Sequence, residues 1–208
     1  MTVQTPPEPD VTIPFNENID LYILDQEFRR IDVIDIYQSL IWSERSVDFG
    51  DFEFVVIDTP EIRTRMPLGS WVTILQSERT ARVESFESKI SAEGERIITY
   101  KGTLLEAILL DRPAMPDLVD LTTMPKWVIG PDTPGNIVRQ IFETVVLNGG
   151  LDSADILEFL QPGTVNTPGG MLEPTDLITV SMELSSVFEQ IKPICEAYGL
   201  GFRIVRRE

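Results

Sequence analysis

The chain has 208 residues, 42% hydrophobic and 25% charged, and its 34 acidic residues against 17 basic ones leave a formal net charge of −17. That balance disfavours nucleic-acid phosphates and anionic membrane surfaces as direct partners, because both call for clustered Lys and Arg. With no histidine and a single cysteine, Cys195, the chain cannot build a Ser-His-Asp or Cys-His nucleophile, an HExxH or CxxC metal site, or an internal disulfide.

Residues 1–18 read as an extended arm, since Pro6, Pro7, Pro9 and Pro14 fall among Thr, Glu and Asp and favour polyproline-like backbone over packing. Residues 19–112 read as an antiparallel β-barrel or sandwich. Leu21–Leu24 opens the first strand, Gln26–Arg29 is a turn, and Ile31–Tyr37 alternates apolar residues with Asp32 and Asp35. Ser39–Arg45 and Phe52–Ile57 follow as strands around a turn at Asp48–Asp51. A Pro- and Arg-containing connector leads to Trp71–Leu75. Then Arg82–Ser91 sets Val83, Ser85 and Glu87 against Glu84, Phe86 and Ser88, and Ala92–Glu95 turns it back along Arg96–Tyr100. Leu104–Leu110 is expected to be a short helix with Leu104, Leu105, Ile108 and Leu109 on one face, Arg112 at its C-terminal end and Pro113 stopping it.

Residues 113–174 form a Pro- and Gly-rich insertion with one firm helix. Thr133 is its N-cap, Pro134 its first residue, and Ile137, Ile141 and Val145 its apolar stripe. A second helix is expected over Ser153–Leu160, and a surface loop over Gln161–Gly170. Residues 175–208 read as β-α-β: an alternating strand at Ile178–Leu184, a helix opened by a Ser186/Glu189 capping box, then a strand at Phe202–Val205. Phe188, Ile191, Cys195 and Tyr198 line the helix, Pro193 interrupts it and Gly199 ends it. Because the last strand has nothing after it, either the natural protein or this domain is expected to continue past Glu208. The fold class is therefore β-rich α+β, in an antiparallel barrel or sandwich with an α-containing insertion and a C-terminal β-α-β segment.

No phosphate-binding glycine loop, EF-hand or nucleophile-elbow motif occurs. Acidic pairs such as Asp32/Asp35 and Glu84/Glu87 could in principle serve a two-carboxylate glycosidase, but alternation makes them solvent-facing strand positions. Trp42, Trp71 and Trp127 read as packing residues before sugar platforms. Cys195 reads as a small buried hydrophobe. No catalytic residue, cofactor or metal site is assigned, and no apolar run approaches the ~20 residues of a membrane-spanning helix. No signal peptide is evident either, so the free protein is expected to be soluble and made in a cytoplasm.

The segment from Phe28 to Arg45, with its Ile-Tyr-Gln-Ser-Leu-Ile-Trp run, closes on Gly50-Asp51-Phe52-Glu53-Phe54. It resembles the opening of the siphophage tail-tip family called Gp37-like, the minor tail or baseplate hub proteins. Ala81–Glu87, Gly102–Arg112 and the helix ending Tyr198–Arg203 resemble later stretches of the same family, in the same order. The resemblance implies a tail-hub fold and a structural role in a bacteriophage tail tip: closing the tail tube and joining the distal tail protein to the central spike or fibre. It further implies a homo-oligomer, expected to be a trimer, with the distal tail protein, the tape-measure protein and fibre proteins as partners. The expected location is the virion tail tip after assembly in the host cytoplasm, with phage DNA met only in transit and no membrane in the free state. The positions that match the family's scaffold are Trp42, Arg45, Gly50, Asp51, Phe52, Gly102 and Arg112, none of them catalytic. A second reading is a tail-associated cell-wall hydrolase or carbohydrate-recognition module.

Overall fold

The structure is a computed structural model that describes residues 19–92, 94–115, 126–148 and 175–206, together with the backbone of Val11–Thr12. The chain divides into two compact units, one made of Met1–Ala107 with Arg203–Glu208 and the other of Ile108–Phe202.

The first unit is an antiparallel sheet of eight strands: β1 (Val11–Thr12), β2 (Leu21–Leu24), β3 (Arg30–Ile34), β4 (Ser39–Glu44), β5 (Asp51–Ile57), β6 (Trp71–Ile74), β7 (Ala81–Ile90) and β8 (Arg96–Leu104). Their order is β1-β4-β5-β8-β7-β6-β2-β3. The strands are rich in the β-branched and aromatic residues that suit a pleated, half-buried surface. Period-2 alternation puts Leu40 and Trp42, Phe52, Phe54 and Val56, and Ile98 and Tyr100 into one core cluster with Leu21, Ile23, Val72, Ile74 and Val83. Burial of these side chains is the main favourable term, at about 25 cal/mol per Å² of apolar surface. No ladder among the described residues joins β3 to β1. Of the expected barrel or sandwich, the β-rich antiparallel sheet is present; among the described residues no closed barrel is found, and β1 and β3 are the edge strands.

Several boundaries also differ from expectation, each for a local reason. The strand expected over Ile31–Tyr37 stops at Ile34. Beyond it Tyr37 turns inward, its hydroxyl donating to the Ile19 carbonyl at 2.7 Å and its ring lying 5.4 Å from that of Phe54. Asp51, expected in a turn, is the first residue of β5 and pairs with Ser43 and Thr103. The connector after β5 holds an unforeseen helix α1 (Pro60–Arg65), capped by the Thr59 hydroxyl and begun by proline. In β7 a bulge between Val83 and Ser85 resets the alternation. Phe86 therefore faces Tyr100, on the same side of the sheet as Val83 opposite Gly102, and not the side opposite Val83 that strict alternation gave it.

The helix expected at Leu104–Leu110 is a 3-10 helix over Leu105–Leu110. Leu104 still belongs to β8, because its amide donates to the Gly50 carbonyl at 2.9 Å.

In the second unit β9 (Trp127–Asp132) pairs antiparallel with β10 (Ile178–Met182). Helix α2 (Pro134–Phe142) has the expected Thr133 cap and buries Ile137 and Ile141; it runs on as a π-helical turn, Glu143–Leu147, that buries Val145 and Val146. Helix α3 (Val187–Tyr198) carries the Ser186/Glu189 capping box, runs through Pro193 and ends on left-handed Gly199. Strand β9 was not anticipated, since the Gly130-Pro131 pair in its middle argues against a ladder. The strand expected at Phe202–Val205 does not form: residues 201–206 have no regular structure. The β-α-β reading is corrected to β10 and α3, with β10 taking its partner from the preceding insertion. The arm positions other than Val11–Thr12, the expected helix at Ser153–Leu160 and the loop at Gln161–Gly170 lie outside the described residues.

Candidate assembly surface

Six of the seven scaffold positions named from the sequence meet at one place, where β4, β5 and β8 run side by side. Trp42 and Phe52 are cross-strand partners, both buried, with ring centroids 6.1 Å apart. Gly102 lies opposite Phe52 on β8. A Cβ at Gly102 would sit 1.8 Å from the Arg82 carbonyl oxygen, and one at Gly50 1.9 Å from that of Ser43. Both sites exclude any side chain, because backbone fills the space. Arg45 closes the β4–β5 connection by donating to the Phe49 carbonyl at 2.8 Å and pairing with Asp51 at 2.7 Å. Arg112 is not part of this group; it belongs to the second unit, where its carbonyl accepts the Val187 amide at 2.7 Å.

A charged cluster that the sequence reading did not single out lies beside these residues. The Trp42 indole donates to Glu44 at 3.0 Å, and the Ser77 hydroxyl donates to the same oxygen. Arg79, with a side chain only 9% exposed, approaches Glu44 at 3.5 Å and Glu106 at 3.4 Å and donates to the Arg45 carbonyl at 2.9 Å. The Glu106 side chain is fully buried. Burial pushes its carboxyl above the ordinary range, while Arg79 and the Ile204 amide pull the other way. A visible signal for this cluster was a glutamate inside Leu104-Leu105-Glu106-Ala107-Ile108-Leu109-Leu110, since an acid amid apolar residues is rarely buried without a partner.

The described residues hold no group of three or more His, Cys, Asp or Glu side chains able to hold a metal ion. Cys195 is buried on α3 and its thiol is pushed up to about 12 by desolvation, then by Glu196, so it is a poor nucleophile at neutral pH. What the first unit does present is apolar surface on its sheet. Ile31 and Ile36, at and just beyond the edge strand β3, are 64% and 78% exposed, and Ile90 near the end of the β7–β8 hairpin is 70% exposed. Of the acids expected on strand faces, Asp32 is held by Arg65 and Glu84 accepts the Thr103 hydroxyl at 2.5 Å, whereas Glu87 and Asp35, which lies just beyond β3, stand exposed.

Residues 20–207 match the family model described as siphovirus ReqiPepy6 Gp37-like protein, and the chain belongs to that family. It is a siphovirus bacteriophage protein, and the family points to a tail-associated structural role. No curated protein matches the chain by sequence.

Proposed function

We propose that this protein is a minor tail protein of the tail tip, a baseplate hub subunit that closes the tail tube and links the distal tail protein to the central spike or fibre. The reading rests on the family match across residues 20–207. It is supported by the open antiparallel sheet, whose β3 edge carries exposed Ile31 beside exposed Ile36. A sheet edge with apolar side chains is the kind of surface that a neighbouring subunit covers during assembly. The hub is a homo-oligomer of three copies in a closed ring, the expected outcome of head-to-tail interfaces. Its neighbours are the distal tail, tape-measure and fibre proteins. The acidic balance of −17 suits a wall that DNA passes without binding, since each cation facing the lumen would add a phosphate contact.

A density map of intact virions tests this directly. Three copies at the distal end of the tail tube are expected. A six-fold or single-copy arrangement would refute the trimer, and a position in the capsid would refute the hub.

A further inference from the structure

The chain crosses between its two units twice, after Ala107 and again before Arg203. Glu106 is the second residue before the first crossing, and Ile204 the second residue after the second. One carboxylate oxygen of Glu106 accepts the Ile204 amide at 3.0 Å across 98 positions of sequence. The same oxygen faces Arg79 Nη1 at 3.4 Å. Arg79 is itself fixed by the Arg45 carbonyl and by Glu44. Downstream, the Arg206 amide donates to the Glu78 carbonyl at 2.8 Å, and Arg203 approaches the Glu78 carboxylate at 3.7 Å.

We infer that Glu106 is a latch that holds both crossings together, with Arg79 as its positioning residue and residues 203–206 as the strap it retains. Three observations carry this. The strap has no strand or helix of its own, so its amides depend on side-chain and loop acceptors for their hydrogen bonds. Glu106 is fully buried and its second oxygen, Oε2, has no hydrogen-bond partner among the described residues. A plain core position would be served better by an apolar residue of similar size, because an incompletely paired buried charge costs more than it returns. Finally, the acid lies in the first turn of the 3-10 helix that follows β8, where it reaches the Ile204 amide of the returning chain.

The test is amide exchange and limited trypsin digestion on the full chain. In Glu106→Ala, exchange at Ile204 is expected to accelerate at least five times more than exchange at Tyr100, a core residue of β8. Cleavage after Arg203 and Arg206 should accelerate with it. A smaller ratio overturns the latch, because the substitution would then only loosen the unit as a whole. Val83→Ala, which removes core volume away from the carboxylate, serves as the control and should raise exchange at both amides by a similar factor. Should Glu106→Ala fail to fold, Glu106→Gln decides. It keeps an acceptor oxygen for Ile204 but loses the charge facing Arg79, so cleavage after Arg203 should be faster than in the parent chain. Parent-like behaviour of Glu106→Gln would show that the ion pair plays no part and would end the proposal.

Discussion

Arg65 grips Asp32 with two hydrogen bonds, of 2.6 and 2.7 Å, and gives a third, of 2.5 Å, to the Val33 carbonyl. The residue on the last turn of α1 thereby covers part of the outer edge of β3, where Val33 would otherwise offer its backbone to another strand. The Val33 amide is occupied as well, by the Asp32 carboxylate at 2.8 Å. This is an edge blunted at one residue and open at its neighbours.

Replacing Arg65 with Ala should therefore do two things. Stability should fall by only about 0.5–1 kcal/mol, since the pair is part-exposed and worth little more than a surface ion pair. Self-association should rise, because an uncovered carbonyl beside exposed Ile31 templates edge-to-edge pairing. Sedimentation velocity at several concentrations would reveal this, and a strictly monomeric variant would contradict the edge argument.

The strands were readable because alternation alone writes a half-buried antiparallel sheet, and Thr133-Pro134 and Ser186/Glu189 are local capping signals that need no tertiary context. What was unreadable depended on partners distant in the chain. The end of β3 is set by Arg65 and Tyr37, neither within reach of a local pattern. The bulge at Val83/Ser85 leaves no local mark, although Gly102 opposite it is a hint. Strand β9 hid behind Gly130-Pro131, and Phe202–Val205 has strand composition, but its Ile204 amide donates to the Glu106 side chain and the next amide shown, that of Arg206, to the Glu78 carbonyl. In the candidate site, Trp42, Gly50 and Phe52 were legible through the resemblance; Glu106 showed only as an acid in an apolar run, and its pairing with Arg79 was not legible, because a buried ion pair between distant residues has no period.

The two crowded glycines should be sharply intolerant. At Gly102 an added methyl collides with the Arg82 carbonyl and lies 2.7 Å from Phe52. Backbone cannot move aside without breaking the β7–β8 ladder, so Gly102→Ala should cost about 3 kcal/mol, the upper end for overpacking. Gly94 is the contrast. Nothing lies within 4 Å of its missing Cβ, but its φ of +85° is left-handed, so Gly94→Ala should cost about 1 kcal/mol from strain alone. Urea unfolding of both variants measures the difference, and equal losses would mean that steric crowding at Gly102 is relieved by local shift.

Acid should weaken the first unit through Asp58. Its side chain is 3% exposed. Two hydrogen bonds from Arg63, of 2.6 and 2.7 Å, and one from Ser88 of 2.5 Å lower its carboxyl to about 2 from an ordinary 3.8. A depressed carboxyl stabilises the fold above its unfolded value and loses that contribution as pH falls through the folded one. The contribution of Asp58 is thus whole above about pH 4 and fades towards pH 2. Asp58→Asn should lower stability at pH 7 and flatten the stability curve across that interval. Equal slopes for the two proteins between pH 4 and 2 would show that other carboxylates govern the acid limb.

The apolar edge can be separated from the fold that presents it. Ile31 and Ile36 are exposed by more than half, so exchanging both for Ser removes little buried surface and should change unfolding free energy by no more than about 0.5 kcal/mol, as for ordinary surface positions. If the edge is where a neighbouring tail protein docks, the same double variant should fail to enter virions when it replaces the parent protein in a phage complementation assay. Trp42→Ala gives the opposite profile: it is 5% exposed in the core and should lose about 3–5 kcal/mol, abolishing assembly by unfolding the subunit. The pair of readouts, melting of the purified chain and its abundance in purified particles, tells the two causes apart. A double variant that melts like the parent and is incorporated at parental abundance would remove the β3 edge from the assembly surface.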